Sequence, residues 1–201
     1  MKSYNRPMRT ILPVKHRLVP DQAECVFQGE IYDVYQWDQV LFDGSTAVFE
    51  MLKRPDTTQV IAVKDDKLVV LLEEQPTMGA PYYGLPGGRH DVGDETEVEA
   101  AQREMVEETG MTFASWRLLN IEQPHSKIDH FVYYYLAYDF IGQNPPHLDA
   151  GEKITVNLMT LEEAREISDS PQPSHLPDEL LDNLESLHEL KLIPEYEGLK
   201  A

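Results

Sequence analysis

The sequence predicts one α+β domain, an α/β/α sandwich built on a mixed β-sheet. Its 201 residues are enough for a domain that buries roughly 70% of the surface its unfolded chain would expose. Several short segments have strand patterns and fewer have helix patterns, and elements in this mixture pack as layers around a sheet. The chain contains no internal repeat or low-complexity tract, so we expect one continuous domain.

Residues 1–55 are predicted to form an N-terminal β segment of the same domain, before residues 56–201. Within that segment, residues 31–42 and 45–53 flank Asp43-Gly44. Asp-Gly between two apolar-rich runs is a strong hairpin signal. A second hairpin is predicted from residues 60–63 and 68–72, joined by four polar residues, and the loop at residues 75–86 follows it.

The central helix is predicted to begin at Thr96 and to end at Gly110. Thr96 and Glu99 have the spacing of a capping box. Gly110 suits a left-handed C-terminal cap. Apolar residues at i, i+3 and i+7 mark the face that packs on the sheet: Val98, Ala101 and Met105.

The remaining elements follow the central helix. Strands are predicted at residues 116–122, 130–140 and 153–159. The second of these strands is rich in tyrosine, and a loop at residues 142–151 leads to the third. Helices at residues 161–167 and 177–190 are predicted to close the domain.

The composition narrows the class of partner. The net charge is −19, from 36 acidic and 17 basic residues, which argues against nucleic acid or an anionic membrane as a partner. No apolar run follows the N-terminus, so neither a signal peptide nor a membrane span is expected. Cys25 is the single cysteine, which suits a cytoplasmic location and a small buried side chain.

The most informative stretch is R-E-M-V-E-E-T-G-M, residues 103–111, which follows the glycine-rich loop L-P-G-G-R-H-D-V-G-D-E, residues 85–95. On a helix, Glu104, Glu107 and Glu108 are three and four residues apart and can converge on one point. Like charges so placed repel by roughly 0.2–0.5 kcal/mol per pair. Mg²⁺ or Mn²⁺ would offset that repulsion, because hard cations prefer oxygen ligands. A solvated acidic surface is the alternative for any single glutamate.

Arg103 is the basic residue of this stretch. It lies four residues after Glu99 and four before Glu107, and it can also reach back to Asp94 or Glu95. We expect its guanidinium to fasten the loop and to orient the neighbouring carboxylates.

These residues resemble the signature of the Nudix hydrolase family, G-x5-E-x7-R-E-U-x-E-E-x-G-U, where U is aliphatic. The matching positions, in order, are Gly88, Arg103, Glu104, Met105, Glu107, Glu108, Gly110 and Met111. Glu95 has the required spacing to Arg103, whereas Asp94 has the required spacing to Gly88. A one-residue insertion in the loop is the simplest account, and both acids remain candidates for the first acidic position.

The resemblance implies the Nudix fold and an enzyme that hydrolyses nucleoside diphosphates linked to another moiety. It implies that Glu104 and Glu108 bind the metal, together with the backbone carbonyl of Gly87. Glu107 would bind a second ion or position the attacking water. The implied cofactor is Mg²⁺ or Mn²⁺.

The chain is most similar to the ADP-ribose and nucleotide-sugar pyrophosphatases of that family. In this subgroup, a loop before a C-terminal strand carries a catalytic glutamate, and the equivalent loop here contains Glu152. An ordinary solvent-exposed loop acid is the alternative for Glu152. An N-terminal β segment in the subgroup helps to assemble a homodimer. The chain departs from the subgroup at Pro76-Thr77, where an arginine is usual, and at Gly87, where alanine is common.

Three functions are compatible with the resemblance to the Nudix family. The first is Mg²⁺-dependent hydrolysis of ADP-ribose or a related nucleoside diphosphate derivative to a nucleoside monophosphate and a sugar phosphate. The second is a nucleoside triphosphate pyrophosphohydrolase that cleans the nucleotide pool, which the long N-terminal segment disfavours. The third is a non-catalytic nucleotide sensor, which the complete set of carboxylates disfavours.

Overall fold

The computed structural model describes residues 9–91, 93, 95–148, 150–171 and 173–201. Its strands are β1 Ile11–Leu12, β2 Glu24–Gln28, β3 Asp33–Val40, β4 Thr46–Lys53, β5 Asp56–Lys64, β6 Lys67–Glu74, β7 Tyr82–Gly84, β8 Arg89–His90, β9 Met111–Glu122, β10 Ile128–Asp129, β11 Val132–Gln143, β12 Lys153–Met159 and β13 Leu199–Lys200. Its helices are α1 Glu97–Thr109, α2 Leu161–Ser168, α3 Asp178–Asp182 and a 3₁₀ helix at Leu187–Leu192. None of these described helices combines the length and hydrophobicity that crossing a bilayer requires.

The central sheet is mixed, as predicted. Its order is β12-β6-β5-β11-β9, with β7 paired to β6 and β8 paired to β5. β11 runs parallel to β5 and antiparallel to β9. A second sheet has the order β10-β4-β3-β2, and β1 pairs with β13.

The two faces of the central sheet bury separate apolar clusters. Successive side chains of a strand point to opposite faces, so Val60 and Ala62 of β5 join one cluster and Ile61 joins the other. The first cluster includes Met105 of α1, and the second includes Leu181 of α3. Helices therefore cover both faces, and the predicted α/β/α sandwich is confirmed.

Helix α1 has the predicted ends. The side chain of Thr96 accepts from the backbone N–H of Glu99, and the Glu99 carboxylate accepts from the backbone N–H of Thr96 at 2.8 Å. Gly110 adopts a left-handed conformation, with φ at 71°. Ala101 and Met105 are fully buried, which confirms the predicted packing face.

The N-terminal hairpin is also confirmed, as β3 and β4 of the second sheet. β10 extends this sheet in parallel to β4. The predicted boundary between residues 55 and 56 falls between β4 and β5, although the division of the chain stays a prediction. Cys25 is exposed rather than buried, because it lies on the edge strand β2, all of whose residues are exposed.

The predicted C-terminal helix at residues 177–190 is wrong. The structure has the short helix α3 and a separate 3₁₀ helix in its place. The Arg165 guanidinium of α2 donates to the carbonyls of Leu181 and Leu184. These carbonyls would accept backbone N–H groups in a continuous helix, so the tertiary contact replaces the helical hydrogen bonds.

Other strands also lie outside the predicted ones, among them β1, β2, β10 and β13. β7 and β8 lie in segments without a strand prediction, and β9 begins five residues before the predicted start. Both short strands hold the glycine-rich loop against the sheet, which decides where the candidate site forms.

Candidate active site

A polar cavity of about 400 Å³ lies where the glycine-rich loop meets α1 and the loop before β12. The predicted site residues that line it are Gly87, Gly88, Arg103, Glu104, Glu107, Glu108 and Glu152. The structure therefore brings Glu152 to the same cavity as the helix, although more than forty residues separate it from Glu108.

The two glycines let the loop approach its neighbours closely. Gly87 has a φ of 152°, and a Cβ there would lie 2.0 Å from the carbonyl oxygen of Thr58. A Cβ on Gly88 would lie 2.4 Å from Cδ of Glu104. Any larger residue would push the loop away from β5 or from the helix, so the glycines set the distance between the loop and the carboxylates.

Arg103 connects the loop to the helix, as the sequence predicted. Its Nε and Nη2 donate to the two carboxylate oxygens of Glu95 at 3.0 and 3.3 Å. Its Nη1 donates to Glu104 at 2.8 Å and to Glu107 at 3.0 Å. Nη2 also reaches the carbonyl of Arg89 at 2.9 Å. One planar guanidinium thus fixes three carboxylates and the loop backbone.

Glu95 is the loop acid that contacts Arg103. Its backbone carbonyl also accepts a hydrogen bond from Nε2 of the buried His90, at 2.7 Å. Asp94 lies outside the described residues. The contact favours Glu95 for the first acidic position, and that assignment stays a prediction.

Three glutamates of α1 belong to the signature, and they are called the helix glutamates here: Glu104, Glu107 and Glu108. Glu108 is the most deeply buried of these three, with 6% of its surface exposed. Its Oε2 accepts from the backbone N–H of Gly87 at 2.8 Å. Burial raises the pKa of Glu108 to about 9, the Gly87 N–H opposes the shift, and the charges of Glu73, Glu104 and Glu152 add to it. A cation would reverse this unfavourable environment for the charged carboxylate.

Glu104 and Glu107 differ in exposure. Burial raises the pKa of Glu104, although the Arg103 guanidinium beside it acts in the opposite direction. The Glu107 side chain is 45% exposed at the edge of the cavity. The three helix glutamates therefore have graded access to solvent, with Glu108 innermost.

The three helix glutamates do not converge on one point in this structure, although the sequence predicted that they can. Among the described residues, no three His, Cys, Asp or Glu side chains are placed to hold one metal ion, because Arg103 holds two of the glutamates and Gly87 holds the third. The donor chemistry nevertheless fits a hard divalent cation. Buried carboxylates with like-charged neighbours line the cavity, and a Cβ at position 88 would collide with the carboxylate of Glu104.

Gly110 links the end of α1 to the segment that leads to Glu152. A Cβ on Gly110 would lie 1.7 Å from the carbonyl oxygen of Asn144. The Asn144 N–H donates to the Gly110 carbonyl at 2.9 Å, and the His147 N–H donates to the Glu107 carbonyl at 2.7 Å. These bonds fix residues 144–147 against the helix.

Sequence reasoning missed Glu73 and His175 as residues of this cavity, which Tyr82 also lines. Glu73 lies at the end of β6 and is 8% exposed. The Tyr82 hydroxyl donates to it at 2.6 Å, and the ring of His175 stands edge-on to Tyr82 at 5.2 Å. A charged residue ending the strongly apolar strand V-V-L-L-E was the available signal.

The chain matches the NUDIX domain model over residues 53–180. It is 29% identical over 152 residues to an ADP-ribose pyrophosphatase of Bacillus subtilis (strain 168), covering 73% of this chain and 80% of that protein. It is 25% identical over 146 residues to a methanol dehydrogenase activator of Bacillus methanolicus, covering 71% and 78%.

A solved structure described as an ADP compounds hydrolase has the same fold, with a TM-score of 0.62 at 22% identity over 74% of this chain and 81% of that one. The NUDIX model spans well over half of the chain. Five residues of the signature line one cavity: Gly88, Arg103, Glu104, Glu107 and Glu108. The chain therefore belongs to the NUDIX family and is a Nudix hydrolase.

Proposed function

We propose that this Nudix hydrolase cleaves the pyrophosphate bond of ADP-ribose or a related nucleoside diphosphate derivative. The products would be a nucleoside monophosphate and a sugar phosphate. The observation that carries the proposal is the single cavity shared by the glycine-rich loop, the helix glutamates and Glu152. The similarity to the Bacillus subtilis ADP-ribose pyrophosphatase supports this choice of substrate class.

Mg²⁺, or Mn²⁺ in its place, is the cofactor we propose. Glu104, Glu108 and the backbone carbonyl of Gly87 would hold it, and Glu107 would bind a second ion or position water. When bound, the cation would neutralise the pyrophosphate charge and lower the pKa of water. The burial of Glu108 among other carboxylates supports this assignment, because those charges need a positive partner.

The side chains around the cavity would prepare the reaction. Arg103 fixes the orientation of Glu104 and Glu107, and the Gly87 N–H fixes that of Glu108. Glu152 would accept the proton of the attacking water as its oxygen bonds to phosphorus, while the phosphorus–oxygen bond of the anhydride breaks. Fixed groups of this kind cost no reorganisation during the reaction.

The substrate would reach an acidic protein through local basic groups. Arg89, His147 and His175 line the cavity beside the carboxylates. These side chains, with the bound cation, would reverse the local sign of the charge and contact the phosphates. The overall negative charge leaves nucleic acid and anionic membranes disfavoured as partners.

We also propose that residues 1–55 assemble a homodimer and that the protein is cytoplasmic. The second sheet and its loops expose large apolar side chains: Val26, Phe27, Val40, Phe42 and Val48. Exposed apolar surface of this kind supports an interface, and the exposed Cys25 thiol suits a reducing compartment. Sedimentation analysis giving a monomer at micromolar concentration would contradict the dimer.

The substrate is tested with a panel of nucleotides in the presence of Mg²⁺, with products identified by mass spectrometry. AMP and ribose 5-phosphate from ADP-ribose would support the proposal. Cleavage of triphosphates without action on ADP-ribose would favour the nucleotide-pool enzyme instead. Binding of nucleotide without any hydrolysis would favour a sensor.

A further inference from the structure

Glu73 is a buried carboxylate of the catalytic cavity that the Nudix signature does not include. It lies on β6 opposite Tyr82 of β7 in the register of the sheet. It is 8% exposed and lines the cavity together with Glu108 and Glu152. A carboxylate in this position needs a physical reason, because burying a charge is costly unless a partner compensates it.

The charged groups around Glu73 are mostly of its own sign. Its charge acts on Glu108, and the charge of Glu152 acts on it. Within the described part of the chain, no Lys or Arg forms an ion pair with Glu73, and its neighbours include the phenol of Tyr82 and the imidazole of His175. The protein thus gathers three acidic groups where their mutual repulsion is least screened.

Tyr82, Gln75 and Gly84 surround the two carboxylate oxygens of Glu73. Oε2 accepts from the Tyr82 hydroxyl at 2.6 Å. Oε1 lies beside Gly84, where an added Cβ would approach to 3.0 Å. The position of Tyr82 is fixed by the segment around His175. The ring of His175 packs edge-on against the Tyr82 ring, and the backbone N–H of His175 donates to the carbonyl of Tyr83 at 2.8 Å.

Building on the proposed function, we propose that Glu73 contributes a carboxylate oxygen to the divalent cation site and that Tyr82 positions it. The cation offsets the repulsion between Glu73 and Glu108. Tyr82 holds one oxygen of Glu73, and Gly84 leaves space beside the other.

Binding of Mn²⁺ alone to the full-length chain tests this assignment without reference to activity. The dissociation constant is measured by calorimetry and by electron paramagnetic resonance of free Mn²⁺, first for the wild type and then for Glu73→Gln. We expect Glu73→Gln to weaken binding by roughly tenfold or more. We also expect it to raise the melting temperature without cation and to reduce the increase that Mn²⁺ produces, because the substitution removes a repelling charge and a ligand together. A purely structural role would not produce these opposite changes.

Glu74→Gln is the matched control. Glu74 is the next residue of β6, is exposed, and pairs with Lys153 at 2.5 Å. Its substitution removes the same charge from the same strand, and we expect an unchanged Mn²⁺ dissociation constant.

Two further variants test the same assignment if Glu73→Gln does not fold. Tyr82→Phe removes the hydroxyl that orients Glu73, and Gly84→Ala places a methyl group against Oε1. Both should weaken Mn²⁺ binding while keeping all the acidic groups. Wild-type affinity in Glu73→Gln, or in both of these variants, would overturn the role of Glu73 and leave the proposed function intact. Absence of Mn²⁺ binding to the wild type, even with ADP-ribose present, would overturn the proposed metal dependence itself.

Discussion

The backbone N–H of Gly87 donates a 2.8 Å hydrogen bond to Oε2 of Glu108. This bond joins the loop before α1 to the most buried carboxylate that this helix places in the cavity, 21 residues later in the chain. The bond requires the loop to lie close to β5. Only glycine allows this at position 87, because a Cβ there would collide with the backbone of β5. The loop and the helix therefore act as one unit.

Glu108→Gln should lower the turnover of ADP-ribose by roughly 100-fold or more. Glutamine keeps an oxygen that can accept from Gly87 but lacks the negative charge proposed to hold the cation. The unfolding free energy should change little or increase, because burial disfavours the ionised form of Glu108 and glutamine does not ionise. Initial rates at saturating Mg²⁺ and urea unfolding measure both effects. Glu166→Gln, which removes an exposed acid of α2, is the control, and near-normal turnover in Glu108→Gln would remove Glu108 from the site.

Glu152→Gln should reduce the catalytic rate and leave the Mn²⁺ dissociation constant near that of the wild type. The reason is that Glu152 is proposed to take a proton from water, whereas other residues hold the cation. Parallel rate measurements and Mn²⁺ titrations separate the two properties. An unchanged rate would make Glu152 an ordinary loop acid.

Arg103→Lys should reduce both activity and stability although it keeps the positive charge. An ammonium group cannot reproduce the planar contacts to Glu95, Glu104 and Glu107. The lost charge-assisted hydrogen bonds should lower the unfolding free energy by roughly 1–3 kcal/mol. Denaturant unfolding and steady-state kinetics measure the change, and wild-type values for both would show that charge alone is sufficient.

Gly110→Ala should be more destabilising than Gly44→Ala. Both glycines have left-handed backbones, with φ at 71° and 84°, so each substitution adds strain of about 1–2 kcal/mol. Only at Gly110 would the methyl group meet another atom, the Asn144 carbonyl oxygen, whereas nothing lies within 4 Å at Gly44. Chemical unfolding compares the two. Equal losses would mean that the contact with Asn144 relaxes without cost.

The stability of the protein should fall in mildly acidic solution in part because of His130. Burial, aided by the charge of Arg54, lowers the pKa of His130 to about 4, below the ordinary value of about 6.5. Between these two values the unfolded chain binds the proton that the folded chain does not. Stability from neutral His130 is therefore complete above about pH 6.5 and is lost as the pH falls towards 4.

Unfolding free energies measured from pH 7 down to about pH 5 test this effect and stay above the isoelectric point near 4.6. The wild type should lose about 2 kcal/mol more than His130→Gln over that range. Glutamine retains a group that can bond to Thr57, which lies 3.0 Å from Nε2 of His130. Parallel pH profiles for the two proteins would contradict the lowered pKa.

Local patterns in the sequence were sufficient for α1 and the N-terminal hairpin. Thr96 and Glu99 cap the helix through neighbours three residues apart, and Gly110 ends it through its own backbone freedom. Asp43-Gly44 turns the chain between β3 and β4 in the same local way. Interactions of this range depend on adjacent residues and can be read without the fold.

Elements that depend on residues distant in the chain could not be predicted from local sequence patterns. The helix predicted at residues 177–190 does not form, because the Arg165 guanidinium donates hydrogen bonds to two backbone carbonyls of that segment. Cys25 is exposed because β2 is the edge of its sheet. β7 and β8 exist because β6 and β5 are there to pair with them.

The candidate site likewise has some features that local sequence patterns predict and others that depend on the fold. The sequence by itself determined the glycine-rich loop, the spacing of Glu104, Glu107 and Glu108, and the membership of a hydrolase family, since these follow from helical periodicity and a continuous signature. Only the tertiary structure decided that Arg103 joins three of the acids and that Glu73 and Tyr82 reach the same cavity. The physical reason is that pairing between strands and burial between layers bring together residues far apart in the chain, and no local pattern records those distances.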